Sequence, residues 1–114
     1  MAKQNDHAET FRRLHVKGSP LVLFNAWDAG SAQAVARGGA AAIATGSWSV
    51  AGAHGYEDGE KLPLDLVVDN IARIVSAVDL PVSLDFEGGY GRPPQELGAN
   101  LARVIDAGVI GINL

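Results

Sequence analysis

The chain has 114 residues, 47% of them hydrophobic and 19% charged, which suits one soluble globular domain and excludes a disordered composition. Nine Lys and Arg scattered among thirteen acids give a net charge of -4 and no basic stripe, so nucleic acid is excluded as a partner. With no cysteine there is no disulfide, thiolate nucleophile or zinc-thiolate site; with a polar start and no apolar run near the roughly 20 residues of a membrane span, the chain reads as cytoplasmic.

In chain order, a first helix is expected from Asp6 to Lys17, with Asp6 as N-cap, Glu9 as its capping-box partner and Gly18 as the stop. Phe11, Leu14 and His15 are its inward residues. Leu21 to Phe24 is a continuous apolar run after Pro20, the pattern of a strand buried on both faces. Asp28 or Ser31 caps a small-residue helix from Ala29 to Arg37, which ends at Gly38 and Gly39. Ala40 to Thr45 is a second buried strand, and Gly46 to Leu62, rich in Gly, Ser and charge, is expected to be a long irregular loop of functional character.

Beyond that loop, Leu64, Val67, Val68, Ile71, Ile74, Val75 and Val78 recur at helical spacing, with Asp65, Asp69, Asn70 and Arg73 on the opposite face. Leu80 to Leu84 is a third strand. Pro94 to Ala107 is a helix with Leu97, Leu101, Val104 and Ile105 inward, and Val109 to Leu114 is a fourth strand. Strands alternating with helices imply a parallel α/β sheet, either open and doubly wound or part of a barrel. A (β/α)8 barrel takes about 250 residues, so this length suits about four βα units, half of one. The chain is one domain, residues 1–114, with residues 1–18 as a leading helix and 19–114 carrying the strands.

The third strand ends in SLDFEGGYG. On a strand, residues i and i+2 share a side, which sends Asp85 and Glu87 together toward the C-terminal sheet edge where parallel folds bind ligands. Converging carboxylates favour a hard cation, Mg²⁺ or Mn²⁺. Equally, the two acids could open a solvated loop. Small residues in Thr45-Gly46-Ser47-Trp48-Ser49 present backbone N–H groups at the same edge, a cradle for carboxylate or phosphate or an ordinary turn. Asp58 is able to join the acids, or is a loop acid. Asn25 follows the first strand on the ligand edge; His54 has no partner at metal spacing, and Trp27 and Trp48 either line a pocket or pack.

Together, LFNAWDAGSAQAVARGGAAAIATGSWSVA, Asp58, LPVSLDFEGGYG and AGVIGINL resemble the isocitrate lyase and phosphoenolpyruvate mutase superfamily, in its branch of 2-methylisocitrate lyase-like and carboxyphosphonoenolpyruvate mutase-like proteins, from about Leu21 to Leu114. The resemblance implies a TIM-type (β/α)8 barrel, here its N-terminal half, with Mg²⁺ held by Asp85 most directly and by Asp58 and Glu87 through bound water. It implies Asp58 as a catalytic residue, and Gly46, Ser47, Trp48 and Asn25 as contacts for a small carboxylate substrate. The implied reaction breaks a carbon-carbon, or alternatively a carbon-phosphorus, bond through an enolate stabilised by the metal. A homo-oligomer is also expected.

Departures accompany the match. Glu87 stands where many relatives have Asp, and Gly46-Ser47 where several have Ser-Gly. The further Glu-Asp beyond the fourth strand and the Lys-Lys-Cys-Gly loop of the lyases have no counterpart before Leu114, which leads us to expect part of a longer protein. Two other readings stand beside the lyase or mutase: a self-associating half-barrel without turnover, with its fourth strand as a pairing edge, and a different barrel enzyme such as a metal-dependent aldolase or a phosphate-binding synthase.

Overall fold

The computed structural model describes residues 2–114. Four parallel strands, β1 (Asn25–Ala26), β2 (Ile43–Thr45), β3 (Val82–Asp85) and β4 (Gly111–Asn113), lie in the order β1-β2-β3-β4. Five helices accompany them: α1 (Ala2–Leu14), α2 (Ala29–Arg37), α3 (Ser47–Ala53), α4 (Leu64–Ala77) and α5 (Pro94–Asp106). A doubly wound sheet reverses its strand order at a switch point, whereas here every strand is added beside its predecessor. That progression winds one way and decides for the barrel type.

Three crossover helices bury one face of the sheet. Ile43 on β2, Val82 and Leu84 on β3, and Phe86 just beyond meet Val67, Ile71 and Ile74 of α4 and Val104 of α5. Burying each such side chain stabilises the fold by about 1.5 to 3 kcal/mol. α2 packs mainly on α4, and its fully buried Ala32 keeps the side chain small where the helix meets the core. The capping of α2 is reciprocal: Ser31 N donates to Asp28 Oδ1 at 2.7 Å, and Asp28 N donates to Ser31 Oγ at 3.0 Å. α5 starts with Pro94 in its first turn, where a missing N–H costs nothing.

Several expectations are corrected. α1 begins at Ala2, not after an Asp6 cap, because tertiary contacts extend it: Gln4 Nε2 donates to the carbonyls of Ile105 and Val109 at 2.8 and 2.9 Å, and Lys3 and His7 meet Asp79. It ends at Leu14, before Lys17. Phe11 and Leu14 are half-buried, while His15 is exposed with its ring edge against Phe11. The Leu21–Phe24 run is not a strand buried on both faces; it leads into β1 without ladder partners, and Val22 and Phe24 are 69% and 65% exposed. β1 is an edge strand, and among the described residues β2 is the one strand beside it. The loop from Gly46 holds a helix, α3, that the small residues did not signal. Asn70, expected on the outer face of α4, is buried and donates from Nδ2 to the Trp27 carbonyl at 3.1 Å. Ile105 is exposed rather than inward.

Candidate functional site

Asp85 is the last residue of β3. Its inner-facing neighbour two residues back, Ser83, is buried, and the two line one side of the strand as the pleat requires. The Asp85 carboxylate is held from two directions: Ser47 N donates to Oδ2 at 3.2 Å and Glu87 N donates to Oδ1 at 3.1 Å. Asp85 N in turn donates to the Thr45 hydroxyl at 3.2 Å, which ties the end of β3 to the end of β2. The amide of Ser47, expected to cradle a substrate carboxylate, is therefore directed at a carboxylate of the chain itself.

Glu87 does not continue the strand. Its φ of 55° lies in the left-handed region, so the chain turns away and the i, i+2 pairing with Asp85 ends there. Its side chain instead reaches the loop after α3, where Gly59 N and Glu60 N donate to Oε1 at 3.0 and 2.9 Å, and Tyr90 donates its hydroxyl to Oε2 at 3.3 Å. Burial raises the Glu87 carboxyl above its ordinary value, opposed by those amides, and the neighbouring Asp58 raises it further. Asp58 moves the other way, lowered chiefly by a hydrogen bond from Ser47 and by the Gly59 amide. Burial and the adjacent Glu87 push the Tyr90 phenol upward.

The structure thus joins Asp85, Ser47 and Glu87 by hydrogen bonds, and Asp58 adjoins Gly59, whose amide reaches Glu87. Asn25 comes to Gly46: a Cβ on that glycine would lie 3.0 Å from Asn25 Nδ2, so the bare backbone lets the two elements approach. Trp48 is 76% exposed on the first turn of α3 and Trp27 is also exposed, so neither packs in the core. His54, on the far end of α3, faces the Val50 carbonyl. Asn25, Thr45, Ser83, Asp85 and Asn113 contribute the polar wall of a cavity of about 360 Å³ on the inner face of the sheet, with Phe11 of α1 across it.

Two participants, Glu60 and Tyr90, carried no recognisable signal in the sequence, because they sit in loops whose path depends on one another. Thr45 was read for its backbone alone, and only its place beside β3 shows what its hydroxyl holds.

The donors suit a hard divalent cation in chemistry, being all oxygen, with Asp58 and Glu87 close enough to perturb each other. Among the described residues, no three acids or histidines converge tightly enough to enclose a metal ion. Mg²⁺ commonly takes only one or two carboxylates and completes its shell with water, so such a ligand set remains compatible with it.

The family model described as phosphoenolpyruvate phosphomutase matches residues 11–114. An uncharacterized protein of Mycobacterium tuberculosis H37Rv is 34% identical over 100 residues, which are 88% of this chain and 38% of that protein. A solved structure from Burkholderia cenocepacia J2315, provisionally described as a phosphonomutase, is 51% identical with a TM-score of 0.94, covering 97% of this chain and 44% of the other. A second from the same organism, provisionally described as a lyase/mutase, is 37% identical with a TM-score of 0.90, covering 98% and 40%. The chain spans about two-fifths of the length of these relatives. Its four βα units are a half-barrel of the TIM type. The residues matched include both Asp85, at the end of β3, and Ser47, at the start of α3, and the chain belongs to the phosphoenolpyruvate phosphomutase family.

Proposed function

We propose that this chain carries the Asp85-centred part of an active site that breaks a carbon-carbon or carbon-phosphorus bond in a small 2-oxo carboxylate. The observation that carries the reading is Asp85 itself: a carboxylate at the C-terminal end of a central strand, fixed by the Ser47 and Glu87 amides, on the wall of a polar cavity. Asp85 would hold a divalent cation, Mg²⁺ or Mn²⁺, with Asp58 and Glu87 beside it. When bound, such an ion would supply Lewis-acid stabilisation of the negative charge that develops as the bond breaks.

The chain's own residues do the rest. Asp58, its carboxyl lowered by Ser47 and the Gly59 amide, would orient a proton-bearing group of the substrate by accepting its hydrogen bond. Asn25 lines the cavity, and Gly46, Ser47 and Trp48 open α3 beside Asn25 and Asp85; together they would orient the substrate carboxylate. The relatives of highest identity named above include phosphonomutase and lyase/mutase descriptions, which supports the bond class without separating its two members. The complete activity belongs to a protein of the relatives' length.

Titration of this chain with Mn²⁺, followed by electron paramagnetic resonance, tests the reading. Asp85→Ala should weaken binding by at least about ten-fold with the fold retained. Equal affinity in the two proteins would leave the non-catalytic half-barrel as the better account.

A further inference from the structure

The loop after α3 and the loop after β3 exchange carboxylates. Glu60 Oε2 accepts from Gly88 N at 2.9 Å and Tyr90 N at 3.0 Å, while Glu87 Oε1 accepts from Gly59 N at 3.0 Å and Glu60 N at 2.9 Å. Each acid therefore occupies a pair of backbone donors on the other's loop, across 27 to 30 residues of sequence. Glu60, Glu87 and Tyr90 all sit at positive φ, 63°, 55° and 62°, a region that residues other than glycine enter only when surrounding contacts hold them there. Those contacts are the exchanged carboxylates. Gly88 is part of the fit, since a Cβ there would stand 3.0 Å from Glu60 Oε2.

We propose that Glu60 is a positioning residue: with Glu87 it clamps the two loops into one unit, and so sets where Asp58 and Glu87 stand relative to Asp85. The inference rests on the reading of those three acids as the cation site, and Glu60 itself takes no ligand role. Asp58 lies two residues before Glu60, and Glu87 directly before Gly88, so the clamp joins the two stretches that carry them. Releasing one carboxylate should loosen the other loop as well as its own partners.

Glu60→Ala and Glu60→Gln, made in this chain, separate the possibilities. In Glu60→Ala, amide exchange at Gly88 and Tyr90 should accelerate, and so should exchange at Gly59, whose amide donates to Glu87 and not to the Glu60 carboxylate. Mn²⁺ affinity should fall about ten-fold, the size expected when an outer partner of a ligand is lost. Glu60→Gln keeps an accepting oxygen and should recover most of both effects. Unchanged exchange at Gly59 in a folded Glu60→Ala overturns the clamp, and so does unchanged Mn²⁺ affinity when the parent chain binds the ion. Should the parent chain not bind Mn²⁺, the cation reading falls by itself and exchange at Gly59 alone decides the clamp. If Glu60→Ala does not fold, Glu60→Asp, one methylene too short to hold the Gly88 and Tyr90 amides, should accelerate Gly59 exchange in the same way; no acceleration there overturns the proposal.

Discussion

Asp28 does at residue scale what the sequence says it should. Its carboxylate accepts from the Ser31 backbone amide, and the Ser31 hydroxyl stands beside it while donating to the Asp28 carbonyl; the two lower its pKa from the ordinary 3.8. Because the folded value is depressed, the stability it contributes is present above pH 3.8 and lost as pH falls through the folded pKa. Asp28→Ala should cost about 1 kcal/mol at neutral pH in chemical denaturation, and the difference should narrow in acid. Glu87 has the opposite sign. Its folded pKa lies above 4.5, so the native state holds that proton more tightly and stability falls as pH climbs through the window above 4.5. Glu87→Gln, which keeps an accepting oxygen for the Gly59 and Glu60 amides, should lose this fall; melting temperatures at pH 4 and pH 7 would show a smaller drop than in the parent chain. Gly89 is a third case: its φ is 86° and an added Cβ would run into Leu97 Cδ1. Gly89→Ala should destabilise by about 2 to 4 kcal/mol, from the left-handed conformation together with overpacking.

Among the elements, α4 and α5 were legible nearly to the residue, because their apolar positions recur every three to four residues and prolines mark their starts. Periodicity failed where one polar residue was given a tertiary partner. Asn70 sits on the buried side of α4 because Trp27 leaves a carbonyl without a ladder bond, and the amide satisfies it. Asn70→Ala should cost about 1 to 3 kcal/mol by stranding that carbonyl, more than an exposed asparagine would. α1 was misplaced at its start for a related reason: Gln4 anchors it to the end of α5 and the approach to β4, elements a hundred residues away. The brevity of β1 escaped too, since hydrophobicity marks a segment for burial but does not say how many neighbours the sheet provides.

For the molecule as a whole, both lateral edges of the sheet, β1 and β4, lack a further strand among the described residues. Val22 and Phe24 stand exposed on the approach to β1, and Leu114 is exposed just beyond β4. Unpaired edges next to exposed apolar groups promote association. This chain should therefore sediment with a concentration-dependent mass, and Val22→Lys with Phe24→Lys should shift it toward the monomer.

Within the site, the sequence by itself placed Asp85 at the end of a buried strand, on the sheet edge that parallel folds use, with the small residues after β2 beside it. Asp58, in a loop, stayed open between the acid group and solvent until the family resemblance was added. Tertiary structure decided how those groups are engaged. The left-handed turn at Glu87 redirects its carboxylate to a loop 27 residues earlier, the Ser47 amide is given to Asp85, and Glu60 and Tyr90 enter through backbone hydrogen bonds. Residue type and spacing carry the chemistry of side chains, whereas backbone donors of two loops find their acceptors only once the sheet has brought those loops together.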